Sequence, residues 1–280
     1  VHQWSKNLLL FVPLIMAHKV AELDLLKKTL IAFFFFSFTA STVYVINDLF
    51  DRKADANHPL KKNRPFASGV LGVLDGGILI LFCAVLGFFL ALKLPLYFQE
   101  LLALYFVTTF IYSFKAKKLL MADVVLLGCL YSLRILCGGA ASEVPVSQWL
   151  LAFSLFIFFS LAAVKRYCEL MDAKEQNNHS ISRRGYAVSD LEIMGILGGA
   201  SGVVSVLILV LYISSEDVGK LYSSPQILWF LTPLILYWIS RIWVLAARGE
   251  VHLDPVVFAM KDKVSYVIAL LCGLVIWLAV

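Results

Sequence analysis

Apolar stretches of about 20 residues recur along the whole chain, and this recurrence constrains the fold more than any other feature. An α-helix needs roughly that length to cross a bilayer, and it satisfies its own backbone hydrogen bonds there. With 61% hydrophobic residues and a mean hydropathy of +0.86, the chain is far more apolar than a soluble domain. We therefore predict an all-α, polytopic membrane protein with about nine spans, forming one domain over residues 1–280. The predicted spans are 7–18 with its flanks, 25–46, 73–92, 96–114, 121–141, 147–164, 190–214, 225–247 and 264–279.

Basic residues are concentrated in alternate loops between these spans, which predicts the orientation of the chain. Cytoplasmic loops carry an excess of Lys and Arg, so we assign these loops and the N-terminus to the cytoplasmic side. Lys19, Lys27 and Lys28, in the first outer loop, are the exception. The basic residues assigned to the cytoplasm are Arg52, Lys53, Lys61, Lys62, Arg64, Lys115, Lys117, Lys118, Lys165, Arg166, Lys174, Arg183, Arg184, Arg241, Arg248, Lys261 and Lys263.

Three aspartates follow the second predicted span, in the sequence N-D-L-F-D-R-K-A-D at residues 47–55. Asp48, Asp51 and Asp55 are spaced i, i+3, i+7, so a helix that continues through them carries all three carboxylates on one face. Acids at the mouth of a membrane span are costly unless a cation shares them. Mg²⁺ typically takes one or two carboxylates together with substrate phosphates. The pattern therefore predicts a Mg²⁺–diphosphate site facing the cytoplasm, with a solvated acidic helix end as the alternative.

The loop behind the aspartates reads N-H-P-L-K-K-N-R-P-F-A-S-G. Pro59 and Pro65 favour a rigid turn, from which Lys61 and Arg64 can face back over the acids. A loop of this composition far from any acid would be an ordinary solvated connector. Beside three aspartates, we interpret it as a lid that clamps phosphate.

Arg134 lies inside an apolar span, V-V-L-L-G-C-L-Y-S-L-R-I-L-C-G-G-A-A. An arginine facing lipid is costly, so its side chain is expected to point into the protein and meet an anion. The guanidinium fork matches phosphate geometry, which makes Arg134 a candidate ligand residue. The alternative is a structural ion pair with Asp123 or Asp172.

The sixth predicted span ends in K-R-Y-C-E-L-M-D. Lys165, Glu169 and Asp172 are spaced i, i+4, i+7, again on one helical face. The segment is either a second half-site or a salt-bridged helix exit, and the sequence alone favours neither.

Several motifs together resemble the UbiA-type membrane transferase superfamily, and most closely its decaprenyl-phosphate phosphoribosyltransferase-like branch. The resemblance extends over nearly the whole chain. The motifs are N-D-x-x-D-x-x-x-D at 47–55, H-P-x-K-x-x-R-P-x-A-S-G at 58–69, H-Q-W-x-K-N at 2–7, K-R-Y-x-E-L at 165–170 and D-P-V-x-F-A-x-x-D at 254–262.

The resemblance implies nine transmembrane helices around a central cavity open to the cytoplasmic side of a bacterial-type plasma membrane. Better-known members transfer a prenyl group from a prenyl diphosphate and use two aspartate-rich motifs, each holding Mg²⁺. In this chain the first motif is intact, whereas the expected second motif reads K-R-Y-C-E-L-M-D. The basic pair in that segment is what the phosphoribosyl branch would show.

The implied reaction is Mg²⁺-dependent transfer of 5-phosphoribosyl from phosphoribosyl pyrophosphate to a polyprenyl phosphate. The lipid phosphate is already an anion at pH 7, so the attack on ribose C1 needs no strong general base. We assign Asp48, Asp51, Lys165 and Arg166 as catalytic; Asp48, Asp51 and Asp55 as metal ligands; and Lys6, Asn7, Tyr44, Asn47, Lys61, Arg64, Tyr112, Lys117, Arg134 and Glu169 as substrate-binding.

Two other functions remain open at this point: a prenyltransferase using a prenyl diphosphate and an aromatic or other small acceptor, and a non-enzymatic lipid or anion transporter. The polar residues crowd one face of the membrane, and no clear internal repeat is present, which weighs against transport. We expect membrane lipids and phosphorylated substrates as partners, and not nucleic acid. The chain starts at Val1, which leaves room for an upstream portion such as a phosphatase domain.

Overall fold

The computed structural model describes residues 2–56, 62–91, 93–176, 184–251 and 254–280, without the side chains of residues 2, 3, 53–55, 88 and 91. Within these ranges the backbone forms helices joined by turns and short loops. The α-helices are α1 (Val12–Met16), α2 (Leu23–Ala56), α3 (Val73–Ala91), α4 (Leu96–Phe114), α5 (Ala122–Ser142), α6 (Gln148–Glu175), α7 (Leu191–Ile213), α8 (Leu231–Ala247), α9 (Pro255–Ala259) and α10 (Lys263–Ala279). Segments of 3₁₀-helix cover His2–Phe11, Ala116–Lys118, Val188–Asp190, Val218–Lys220 and Pro225–Phe230.

The described part of the chain contains 5 helices that are long and apolar enough to cross a bilayer. They are Leu23–Arg52, Ala122–Ser142, Gln148–Glu175, Val188–Ile213 and Pro225–Ala247, and shorter apolar helices cover Trp4–Met16, Val73–Gly87 and Lys263–Ala279. The prediction of an all-α integral membrane protein is therefore confirmed. The count of nine spans and the central cavity stay predictions.

Three helical segments differ in extent from the spans predicted for them. The first is a 3₁₀ segment that becomes α-helix only at Val12, where Pro13 suits a first helical turn because it lacks an N–H. Both α2 and α6 continue past their predicted ends, through Ala56 and Glu175. These extensions carry the aspartate motif and the K-R-Y-C-E-L-M-D segment, so the residues of each motif are arranged by helical periodicity.

The helices pack as two compact units, and the first comprises the residues up to 114 together with 133–145. Its fully buried side chains include Leu10, Phe36 and Phe98. The part of α5 in this unit approaches the N-terminal segment closely, because a Cβ added at Gly138 would lie 2.1 Å from the backbone oxygen of Leu10. Small residues at such contacts let helix backbones pack closely.

The second unit comprises residues 115–132 and 146–280. Its helices α6, α7 and α8 are joined by polar contacts as well as by apolar packing. The Ser160 hydroxyl donates to the Gly198 carbonyl at 2.7 Å and accepts from the Trp243 indole N–H at 3.0 Å. A Cβ at Gly198 would meet the Trp243 ring at 2.3 Å, so this close packing requires glycine. The position of the polar end of α6 in this unit is thereby fixed.

Candidate functional site

The extension of α2 beyond its predicted span carries Asp48 and Asp51 one turn apart, hence on the same helical face. The Arg64 guanidinium donates to Asp48 Oδ1 at 2.9 Å, so the loop that follows α2 does turn back over the acids. The Asp48 side chain is 32% exposed and that of Arg64 is 41% exposed. An ion pair this exposed contributes little to stability, and the Asp48 carboxylate is partly open to solvent.

For the other residues predicted to act with Asp48 and Asp51, the structure gives the degree of burial or no description. Asn47 and Tyr44 are half-buried on the same helix. The Asp55 side chain and Lys61 lie outside the described residues. Tyr112 is half-buried near the end of α4.

Whether Asp48 and Asp51 fit a Mg²⁺ ion depends on how many carboxylates the site supplies. The described side chains, which leave out Asp55, contain no group of three or more His, Cys, Asp or Glu residues that could hold a metal. Two carboxylates one turn apart on a half-exposed helix end do fit Mg²⁺, which keeps much of its shell for substrate phosphates and water. The site therefore fits a metal shared with a phosphorylated ligand.

Arg134, on α5, is buried in the first unit among neutral polar and aromatic groups. It donates from Nε to the Asn7 side-chain oxygen at 3.2 Å and from a terminal nitrogen to the Tyr105 hydroxyl at 2.9 Å. Its guanidinium carbon lies 5.6 Å from the Phe36 ring centroid and 4.9 Å from that of Tyr105. Asn7 in turn donates to the Ser37 hydroxyl at 2.9 Å. These contacts connect Arg134 to three helical segments.

Arg134 lies far from Asp48 and Asp51, because it contacts α2 more than 10 residues before them. Phe36 and Ser37 precede Asp48 by about a dozen residues, which is about 16–18 Å along a helix. We predicted Arg134 as a ligand for phosphate, and the buried Lys6 and Asn7 as substrate-binding. The depth and the contacts of Arg134 argue for a role in holding the N-terminal segment on α2 and α4.

The polar end of α6, in the second unit, contains a buried ion cluster. Arg166 Nε lies 2.7 Å from Asp123 Oδ2, and both side chains are fully buried. Arg166 also pairs with Glu169. Arg184 reaches both acids, at 3.3 Å to Glu169 Oε2 and 3.4 Å to Asp123 Oδ2. Two arginines thus balance two carboxylates.

Tyr186 closes this cluster on the side of the α4–α5 connection. Its hydroxyl donates to Asp123 Oδ1 and accepts the backbone N–H of Met121 at 3.0 Å. Burial, followed by the hydrogen bond to Asp123 and the charge of that acid, raises the pKa of Tyr186, so the phenol remains a donor. A Cβ on the preceding Gly185 would lie 2.7 Å from the Lys118 carbonyl oxygen. The segment at 184–187 is therefore packed tightly against the turn that carries the half-buried Lys117.

Arg166, which we predicted as catalytic, is fully buried and pairs with Asp123 and Glu169. These contacts hold Glu169 and the start of α5 in place, and the catalytic role of Arg166 stays a prediction. The sequence analysis left a salt-bridged helix exit open here but did not identify Asp123 and Arg184 as its partners, although an acid at the start of an apolar span, as at Asp123, is itself a signal of a buried partner.

Lys165, one residue earlier on α6, has a partner that the sequence analysis did not predict. Its amine lies 3.0 Å from Asp254 Oδ2, and the side chains are 33% and 18% exposed. Asp254 also caps α9, accepting the N–H of Val256. The second aspartate of that motif, Asp262, caps α10.

Asp262 is also paired with Arg241, which donates two hydrogen bonds to it at 2.7 and 3.1 Å. Burial alone would raise the pKa of Asp262, but hydrogen bonds from Arg241 and Ser265 hold it below its usual value. Both aspartates of the 254–262 motif are therefore engaged by helix ends and cations.

Comparison with known proteins identifies the family and the fold of this chain. The sequence profile of the UbiA prenyltransferase family matches residues 8–250. The chain belongs to this family. Among solved structures, a UbiA homolog from Archaeoglobus fulgidus bound to DMAPP and Mg²⁺ superposes with a TM-score of 0.70 over 99% of this chain and 96% of that chain, at 14% identity. The resemblance of the fold is thereby confirmed.

Among curated relatives, nodulation protein NoeC of Azorhizobium caulinodans is 36% identical over 98% of this chain and 90% of its own length. The uncharacterized protein y4nM of Sinorhizobium fredii is 37% identical over 97% of this chain, which spans about half (53%) of y4nM. Decaprenyl-phosphate phosphoribosyltransferase of Mycolicibacterium smegmatis is 29% identical over 96% of this chain and 86% of its own length. By contrast, the match to 4-hydroxybenzoate octaprenyltransferase of Shewanella loihica covers only 38% of this chain.

Proposed function

We propose that the protein transfers 5-phosphoribosyl from phosphoribosyl pyrophosphate to a polyprenyl phosphate in a Mg²⁺-dependent reaction that releases pyrophosphate. The observation that carries the proposal is the charge balance at the polar end of α6. There Glu169 is held by Arg166 and Arg184, and Asp254 is held by Lys165. Two guanidinium groups at Glu169 make this segment a poor second Mg²⁺–diphosphate motif, because like charges repel the metal.

The similarity to decaprenyl-phosphate phosphoribosyltransferases supports the same reading, since it extends over 96% of this chain. The prenyltransferase match is confined to a part of the chain. Prenyl transfer is nonetheless the second candidate function, because the family as a whole carries that name.

For the donor, we propose that Asp48 and Asp51, with Asp55 and Asn47, hold Mg²⁺ on the pyrophosphate. The metal would neutralise charge as the pyrophosphate leaves. Arg64, which pairs with Asp48, is the proposed cation for a phosphate oxygen there. Lys61, Tyr44 and Tyr112 complete the proposed donor contacts.

In the chemical step, the bond between ribose C1 and the pyrophosphate oxygen breaks, and the electron pair leaves with pyrophosphate. A phosphate oxygen of the lipid forms the new bond to C1, which carries oxocarbenium-like charge in between. Lys165, oriented by Asp254, and Lys117 are the proposed cations for the lipid phosphate and the 5-phosphate. Fixed cations of this kind stabilise the charge that develops in the transition state.

We propose that this chemistry faces the cytoplasm, where the positive-inside rule puts the basic loops. Phosphoribosyl pyrophosphate is a soluble, highly charged donor, which fits that side. The product retains a 5-phosphate, so a phosphatase, fused or separate, would act next.

The test is a donor assay on the purified chain in detergent, with Mg²⁺ and a polyprenyl phosphate. Ribose-labelled phosphoribosyl pyrophosphate is compared with a labelled prenyl diphosphate offered together with an aromatic acid. We expect the ribose label in the lipid fraction, and we expect EDTA to abolish its transfer. Transfer from the prenyl donor alone would reject this function in favour of the second candidate.

A further inference from the structure

Glu169 differs from Asp123, the other acid of the α6 cluster, because only one of its two carboxylate oxygens is engaged by the described residues. Both of its ion pairs, with Arg166 and with Arg184, are made by Oε2. Within the part of the chain that the structure describes, Oε1 has no polar partner, and the side chain is 31% exposed. The carboxylate is thus fixed through one oxygen and presents the other.

The rigidity of this carboxylate comes from the residues behind it. Arg166 is fully buried against Asp123, and Tyr186 fixes Asp123 by a hydrogen bond of 2.5 Å. Arg184 spans both acids. A carboxylate restrained in this way loses little entropy when it binds a donor, and such preorganisation favours recognition.

The chemistry of Oε1 favours a neutral hydrogen-bond donor over a metal. A carboxylate oxygen only accepts hydrogen bonds, and the two guanidinium groups beside it would repel a divalent cation. A hydroxyl carries no charge and donates readily. Carboxylates recognise ribose hydroxyls in this way in dinucleotide-binding folds.

We infer that Glu169 Oε1 accepts a hydrogen bond from a ribose hydroxyl of the donor, and that Glu169 thereby selects a ribosyl over a prenyl group. The inference rests on the proposed function and names a subsite within it. A prenyl group is a hydrocarbon with no hydroxyl, so it would leave this oxygen unpaired. A site built to bind a hydroxyl rejects analogues that lack it far more strongly than an apolar pocket rejects an added group.

The variant Glu169→Gln tests this, because it keeps the size of the side chain and removes the charge. The matched control is Glu175→Gln, an exposed acid at the end of the same helix that has no place in the proposed site. Three quantities are measured for each variant: the KM for phosphoribosyl pyrophosphate and the inhibition constants of ribose 5-phosphate and of inorganic pyrophosphate. The last inhibitor contains no ribose.

For Glu169→Gln we expect the KM and the ribose 5-phosphate inhibition constant to rise about tenfold or more, the effect of losing a charge-assisted hydrogen bond. Inhibition by pyrophosphate should stay at the wild-type value, and Glu175→Gln should match the wild type in all three. Equal weakening of both inhibitors would mean a purely structural role and would overturn the inference, as would an unchanged KM.

Glu169→Asp provides a second route if the glutamine variant does not fold. It retains the charge beside the arginines but withdraws the oxygen by one methylene group, so the same selective rise in KM is expected. Failure of the proposed function is distinguishable, because the wild-type protein would then not use phosphoribosyl pyrophosphate at all. In that case the inference falls with it, whereas active wild type with an unaffected Glu169→Asp rejects the inference alone.

Discussion

The polar ends of α2 and α6 both carry acids at helical spacing next to an apolar span, yet their surroundings differ. On α2, Asp48 meets Arg64 in a pair whose side chains are 32% and 41% exposed. On α6, Glu169 and its neighbour Asp123 share Arg166 and Arg184, and the Asp123–Arg166 pair is fully buried. The same residue types therefore form a partly exposed ion pair at one helix end and a buried ion cluster at the other.

The largest effect that separates the two regions is expected on stability. Asp123→Asn removes one partner of the buried pair and leaves Arg166 charged inside the protein, which should cost about 3–5 kcal/mol of unfolding free energy. Thermal unfolding in detergent measures it. The double variant Asp123→Asn with Arg166→Met should recover part of the loss, since no buried charge is left uncompensated there. A near-neutral single variant would contradict the structural role of the cluster.

The next effect is on catalysis, at α2. Asp48→Asn should lower turnover on the order of a hundredfold or more, the scale seen when one electrostatic partner of a developing charge is removed. Its unfolding temperature should stay near that of the wild type because the side chain is partly exposed. Asp75→Asn is the control, because Asp75 accepts the Gly72 N–H at 2.7 Å at an exposed helix start and has no proposed role in catalysis. Near-normal turnover of Asp48→Asn would remove α2 from the proposed site.

A smaller effect is expected for the pair between Lys165 and Asp254. Asparagine caps helices about as well as aspartate, so Asp254→Asn separates the ion pair from the cap on α9. We expect a turnover about tenfold lower, from the loss of a charge-assisted hydrogen bond that orients Lys165, with little change in unfolding temperature. If instead stability falls and the turnover per folded molecule is unchanged, Asp254 is only structural.

The smallest effect is expected for Arg64→Gln. Its free energy of unfolding should change by less than about 1 kcal/mol, because the pair between Arg64 and Asp48 is exposed. Thermal unfolding beside Asp123→Asn gives the contrast directly. A destabilisation as large as that of Asp123→Asn would erase the difference drawn between the two helix ends.

The sequence was sufficient where the physics is local. Apolar length predicted the helical membrane fold, and the spacing of Asp48 and Asp51 predicted a shared face, because α2 does continue through them. The 3₁₀ start of the chain was missed, since hydropathy does not distinguish it from an α-helix. The interpretation of K-R-Y-C-E-L-M-D stayed open because its ion-pair partners lie far away in the sequence.

The cation partners of the acids could not be predicted, because they are distant in sequence. Arg184 is 61 residues from Asp123, and Asp254 is 89 residues from Lys165. Spacing along one helix carries no information on such pairs. Only the folded chain shows that Arg166 is buried against Asp123.

The central claim is that α2 holds the metal and α6 does not, and Mn²⁺ binding tests it most directly. Mn²⁺ replaces Mg²⁺, and its binding is measured by electron paramagnetic resonance in the presence of inorganic pyrophosphate for the wild type, Asp48→Asn and Glu169→Gln. We predict that Asp48→Asn loses pyrophosphate-dependent Mn²⁺ binding and that Glu169→Gln binds as much as the wild type. Loss of bound Mn²⁺ in Glu169→Gln would contradict the account, because α6 would then hold a second metal, as in a prenyltransferase with two metal motifs.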